Sequence, residues 1–197
     1  MKKICLLLLP ALVLAAPAFA QMEAGMSMMT VGAGVGYALP MGDFADWYDG
    51  GLMFGLNGCY MFTDMYGLEV GVDYAAFPVN SDFEDLFGGD DLDVSLRIIP
   101  ITVDFLAAFP AGNMKPYVKG GVGYYMWKPT GDDVSDEAEG ENDFGINAGG
   151  GVKIPFGETM MFDVGVTYHY IMTEDTDVEG STNTTYVGLK AGIGMKF

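Results

Sequence analysis

From Asp143 to Ile171 the chain alternates apolar with small or polar residues in two consecutive runs. In the first, Phe144, Ile146, Ala148, Gly150, Val152, Ile154 and Phe156 share one face, against Asp143, Gly145, Asn147, Gly149, Gly151 and Lys153 on the other. After Gly157 and Glu158 the second run sets Met160, Phe162, Val164, Val166, Tyr168 and Tyr170 against Asp163, Gly165, Thr167 and His169. Successive side chains of a strand point to opposite faces, so two such runs joined by a Gly-containing turn predict a β-hairpin. Each run is longer than the roughly 5–6 residues of an ordinary strand and suits the roughly 9–11 tilted residues that cross a bilayer. An apolar face backed by a small, polar one is what a barrel wall needs when lipid lies outside and a packed polar lumen inside.

The same pattern predicts eight strands, at about 26–38, 51–62, 66–77, 92–108, 115–127, 143–156, 160–172 and 184–197. Short links (63–65, 109–114, 157–159) alternate with long ones (39–50, 78–91, 128–142, 173–183), and both termini fall on the short side. The expected fold is therefore an all-β, eight-stranded, antiparallel, up-and-down transmembrane β-barrel with tight periplasmic turns and longer outer loops. One strand departs from simple alternation. In the fourth, Asp93, Ser95 and Arg97 share one parity and Thr102 and Asp104 the other, which with Pro100 predicts a β-bulge near Ile98 to Ile101. Glycines such as Gly32, Gly34, Gly36, Gly149, Gly192 and Gly194 fall on the expected lumen face, where a small, strongly curved barrel has little room.

Residues 1–20 alter the count of what folds. Lys2 and Lys3 precede an apolar run from Ile4 to Leu14, and Ala18-Phe19-Ala20 precedes Gln21, the layout of a secretory signal peptide, leaving 21–197 as the barrel domain. Loss of that leader removes two of nine basic residues and none of the 27 acidic ones, so the mature chain carries about −20. Such a charge excludes nucleic-acid binding through a general basic field. Beyond residue 20 no apolar run is long enough for a spanning helix. Cys59 alone survives cleavage, so no intramolecular disulfide is expected, and Cys59 reads as a small buried residue.

On the expected lumen face stand four acids, Glu69, Asp73, Asp104 and Asp163, and four bases, Arg97, Lys119, Lys153 and Lys190. Unpaired charge is costly in a confined interior, so these eight are expected to form an ion-pair network, as core filler or as the lining of a gated path. His169, the one histidine, also faces inward; serine-hydrolase chemistry would need a nucleophile within its reach, and otherwise it is a satisfied lumen or rim residue. The long links are acidic, with Asp82, Glu84, Asp85, Asp90 and Asp91 in one, Asp132, Asp133, Asp136, Glu137, Glu139 and Glu141 in the next, and Glu174, Asp175, Asp177 and Glu179 in the last. Such carboxylates either hold a divalent cation, Ca²⁺ or Mg²⁺, bridging to lipopolysaccharide phosphates, or simply keep the surface solvated. No EF-hand spacing is present. No catalytic, cofactor-binding or metal residue is expected. Aromatics near strand ends, among them Tyr37, Tyr66, Phe144 and Phe162, predict two interfacial girdles.

The Pro116–Tyr124 segment (PYVKGGVGY), the Asn147–Gly151 run, Arg97-Ile98-Ile99-Pro100-Ile101 and the terminal Phe197 after alternating apolar residues resemble the small outer-membrane β-barrel family, which includes the OmpA transmembrane domain, OmpX, OmpW and PorT-like barrels. The resemblance spans the mature chain. It implies that Phe197 closes a C-terminal strand read by the barrel-assembly machinery, and that the protein sits in outer-membrane lipid. No peptidoglycan-binding domain follows residue 197, so that function of longer relatives is not expected. The outer-membrane lipid A deacylase carries a serine two positions after its histidine; here that position is Ile171, so its local motif is absent. The expected function is a non-enzymatic structural or surface-interaction role in the cell outer membrane with acidic extracellular loops. The alternative is a narrow porin-like channel or diffusion route for small or apolar solutes.

Overall fold

The computed structural model describes residues 28–80, 94–109, 111–131, 140–173 and 183–197. The expected leader, Asp93 and most of the acidic loop residues lie outside the described residues. Period-two alternation yields β1 (Met28–Met41), β2 (Gly51–Met61), β3 (Tyr66–Pro78), β4 (Val94–Ala108), β5 (Lys115–Gly131), β6 (Glu141–Phe156), β7 (Met160–Met172) and β8 (Thr184–Lys196), with a 3-10 helix at Gly42–Asp46. Each strand pairs antiparallel with its sequence neighbours, and β1 pairs with β8, from Thr30↔Lys196 to Met41↔Thr185, so the sheet closes into a barrel with no free edge. The expected boundaries hold to within a few residues; β5 and β6 reach further toward the long-loop end than the apolar pattern indicated.

The wall is apolar on its outside. Ile146, Val164 and Leu189 are about half exposed (48%, 55% and 47%), and Val35, Leu52 and Val122 more so, a continuous band no water-soluble surface would carry. Aromatic rings cluster toward both ends of this face. Phe54 stacks on Tyr74 at 4.7 Å and Tyr124 lies 5.3 Å from Phe144 toward the long-loop end; Tyr66 stacks on Phe105 at 5.8 Å and Phe156 on Phe162 at 4.2 Å toward the short-turn end. These two belts sit where amphipathic rings meet the headgroup zones. Glycine permits the tight closure at one instructive point: a Cβ on Gly121 would run into the Val103 carbonyl and lie 2.5 Å from Asp104 Oδ1, so β4 and β5 could not approach with any side chain there. In the β6–β7 turn Gly157 takes φ +68°, the left-handed geometry a tight hairpin requires.

Two expectations about β4 are corrected. No bulge forms at Pro100: the β4–β5 register runs unbroken from Val94↔Gly131 to Ala108↔Tyr117, and β3–β4 keeps one offset on both sides, with Ala75↔Ile98 and Val72↔Ile101. Pro100 lacks an N–H, so the ladder to β3 lapses opposite Ile99 and Pro100 while the count of residues is unchanged. With parity preserved, Leu96, Ile98, Pro100, Thr102 and Asp104 face inward and Arg97 faces out, so Arg97 is not a lumen residue. Its guanidinium lies 5.9 Å over the Tyr74 ring, at the end of the wall where a long cationic side chain reaches the headgroup zone.

The lumen is layered, which amends the expectation of a uniformly polar interior. At the long-loop end, Ala38, Met53, Ala75, Phe77, Leu96, Ile98, Tyr125, Ile171 and Tyr186 form a buried cluster, capped by Phe44 from the 3-10 helix. At the short-turn end Cys59, Leu106, Ala108 and Tyr117 form a second. Polar residues occupy the space between.

Candidate functional site

The middle layer is built by inward positions of six strands. Glu69 on β3 accepts from Lys119 Nζ on β5 through Oε1 at 2.9 Å, and from Lys153 Nζ on β6 through Oε2 at 3.3 Å. Lys119 also lies 3.0 Å from Asp104 Oδ2 on β4, and Lys153 lies 3.8 Å from Asp163 Oδ2 on β7. Asn57 Nδ2 donates to Glu69 at 3.3 Å, and Tyr117 donates its hydroxyl to Asp163 at 3.0 Å while its ring sits 5.0 Å from Lys153 Nζ. Further toward the long-loop end Lys190 on β8 donates to Asp73 on β3 as a separate pair. The structure thus gathers Glu69, Asp104, Lys119, Lys153 and Asp163 into one cluster, sets Asp73 with Lys190, and leaves Arg97 outside. Three lysines face four carboxylates. Glu69 and Asp104 are only 4% and 1% exposed, so they depend on these partners for the solvation that water would otherwise supply.

Above this layer His169 is clamped. Its Nδ1 lies 2.9 Å from the Tyr125 hydroxyl, and its ring stacks on Tyr186 with centroids 4.4 Å apart and planes 9° apart. Ile171, two residues on, belongs to the buried apolar cluster. The histidine therefore serves the seal between the ionic layer and the outer mouth. A cavity of about 40 Å³ persists among Thr30, Asn57, Thr102, Asp104 and Thr167, room for a few waters. Cys59 is buried, with its thiol 3.8 Å from Met61 sulfur.

At the long-loop mouth the sequence left a feature unread. The connection after β1 folds back over the barrel and docks by backbone bonds: Asp49 N–H donates to the Pro78 carbonyl (2.8 Å), Asn80 N–H to Trp47 (3.0 Å), and Tyr48 bridges Val79. Its Phe44, Trp47 and Tyr48, with Trp127 of β5, enclose a vestibule of about 470 Å³ that Asp43, Leu96, Pro129, Glu141, Asn183 and Thr184 complete. Trp127 Nε1 donates to Asp143 at 2.9 Å. Burial pushes the Tyr48 phenol above its ordinary value, so it contributes a neutral hydroxyl. The signal available in the sequence was that both tryptophans of the chain lie at the outer ends of strands or in an outer link. Among the described residues no group of three His, Cys, Asp or Glu is placed to hold a metal ion. The acidic clusters at 82–91, 132–139 and 174–179 lie outside the described residues.

Phe197 stands at the short-turn rim, 73% exposed, its N–H donating to the Met29 carbonyl at 2.8 Å, so the C-terminus is tied to β1 at the seam of the barrel.

A closed eight-stranded barrel with an apolar outer band, two aromatic belts and its charge inside defines an integral β-barrel of the outer membrane. Residues 6–197 match the family described as outer membrane protein beta-barrel domain, and the chain belongs to that family and to the cell outer membrane. Solved structures share the fold. Neisserial surface protein A (NspA) superposes with a TM-score of 0.61 at 19% identity, covering 86% of this chain and 97% of its own. OprG from Pseudomonas aeruginosa gives 0.57 at 16% identity, covering 87% and 96%. Ail, the attachment invasion locus protein of Yersinia pestis, in complex with the heparin analogue sucrose octasulfate, gives 0.56 at 15% identity, covering 87% and 99%. Among curated protein sequences none matches the chain.

Proposed function

We propose that the barrel is a non-enzymatic, closed scaffold that carries a structural and surface-interaction role at its outer mouth, and that the ion-pair network holds the scaffold shut. The observation that carries this reading is the layered lumen: two buried apolar clusters bracket the ionic layer, and the cavity left among the ionic residues is about 40 Å³. A diffusion route for solutes, the competing reading, needs a continuous path, which Phe77, Tyr125, Ile171 and Tyr186 obstruct with fully buried side chains. Purified protein in planar bilayers is therefore expected to give no unitary conductance above the empty-membrane baseline. Steady, concentration-dependent channel steps would overturn the closed-scaffold reading in favour of transport.

Surface binding by this chain differs from that of the Ail structure with its polyanionic heparin analogue, because the mature chain's formal charge of about −20 repels such ligands. A divalent cation bridging the acidic loops to lipopolysaccharide phosphate fits the charge better. Absence of enzyme activity has its own check: lipid A mass spectra are expected to stay unchanged on overexpression. Residues 1–20 act as the cleaved leader, and amino-terminal sequencing of the mature protein should begin at Gln21.

Phe197 is the residue through which the last strand engages the barrel-assembly machinery. Its deletion is expected to lower the amount of assembled barrel several-fold, seen as loss of heat-modifiable migration in cells. Wild-type migration of the truncated chain would remove Phe197 from that role.

A further inference from the structure

We propose that the outer vestibule is a binding site for small organic cations that carry an apolar group, such as aryl- or alkylammonium compounds. The inference goes beyond the closed-scaffold reading and does not depend on conductance. Three properties of the vestibule converge on this ligand chemistry. Its walls are aromatic: Phe44, Trp47 and Tyr48 come from one link and Trp127 from β5. Ring faces carry negative potential and attract ammonium groups, most strongly for tryptophan. Among the described residues its charged lining is Asp43 and Glu141, with no lysine or arginine. The basic residues next in sequence to lining positions are Arg97, beside Leu96, and Lys128, beside Trp127. Both are exposed, on strand positions whose parity is opposite to that of their inward-facing neighbours. The cleft therefore repels anions and concentrates cations.

The third property is preparation. The link that brings Trp47 and Tyr48 is pinned to the end of β3 by the two backbone hydrogen bonds of the Tyr48–Val79 bridge, and the Trp127 indole is oriented by its bond to Asp143. Little ordering remains to be done when a ligand enters, which favours affinity. The volume of about 470 Å³ falls in the usual range of small-ligand pockets. Below, Phe44 packs on Phe77 at 5.1 Å and Phe77 on Tyr186 at 5.4 Å, so the seal forms a floor and a ligand stops there. Trp47 is 54% exposed on a backbone fixed by those bonds.

The chain supplies its own reporter, because its two tryptophans both line the vestibule. Full-length protein folded in a non-ionic detergent is titrated with benzyltrimethylammonium, benzyl alcohol and benzenesulfonate while tryptophan fluorescence is recorded. The ammonium should give a saturable change, with the alcohol at least tenfold weaker and the sulfonate silent. Asp43→Asn combined with Glu141→Gln, both at exposed positions, should weaken the ammonium about tenfold, and raised salt should do the same. Heat-modifiable migration of the double variant verifies that it still folds. An equal response to the alcohol, or an ammonium affinity untouched by the double variant, would overturn the proposal. So would a saturable response to a lysine-rich peptide in place of the small cation, which would assign the mouth to a protein partner.

Discussion

Glu69→Ala is expected to destabilise the folded barrel by about 3–5 kcal/mol, the typical cost of removing one partner from a buried ion pair. Among the described residues Glu69 is the only carboxylate that both Lys119 and Lys153 reach, at 2.9 Å and 3.3 Å, and without it Lys119 retains Asp104 at 3.0 Å and Lys153 retains Asp163 at 3.8 Å. Two ammonium groups would then share less compensation in a space closed to bulk water, and the Asn57 amide would lose its acceptor. Urea unfolding of protein reconstituted in lipid vesicles measures the effect. Glu69→Met with Lys119→Met should cost less than the sum of the single changes, because the penalty lies in the stranded charge and not in the missing attraction. A loss below about 1 kcal/mol for the single variant would mean that water reaches the layer and screens it.

A comparable loss is expected on the opposite face. Leu189 lies near the middle of β8 and 47% exposed on the outer wall, so Leu189→Arg should cost about 2–4 kcal/mol, whereas Met195→Arg, close to the short-turn rim, should cost about 0–1 kcal/mol. The gradient arises because an arginine near the rim can extend to the headgroups and one at the midplane cannot do so without deforming the bilayer. The same urea titration reads both variants. Equal costs at the two depths would contradict a bilayer-spanning wall.

The hairpin of β6 and β7 was legible because period-two alternation with one uniformly apolar face leaves a single way to orient the wall in lipid. Glu69, Asp104, Lys119, Lys153 and Asp163 could likewise be placed inward by parity. Parity says nothing, however, about which of them meet, since partners such as Lys153 and Glu69 lie 84 positions apart and touch only across the closed lumen. Arg97 shows where the pattern misleads. A local rule that assigns polar residues inward fails where the inner face is itself apolar, as at Leu96, Ile98 and Pro100, and can be kept there only by adding a bulge. Strand register resolves it, because fifteen consecutive β4–β5 partners leave no place for an extra residue.

What the sequence by itself determined was the fold: eight alternating runs, short and long links in strict succession, and no helix-length apolar stretch beyond residue 20 admit one membrane architecture. Only the tertiary structure decided what the barrel contains and offers. Closure brings β3, β5 and β6 face to face around Glu69, stacks His169 on Tyr186 within hydrogen-bond reach of the Tyr125 hydroxyl as a seal, and folds the link bearing Trp47 over the mouth beside Trp127. The physical reason is that alternation constrains each side chain's direction relative to its own strand, while contacts across a lumen depend on barrel curvature and stagger, which no single strand encodes.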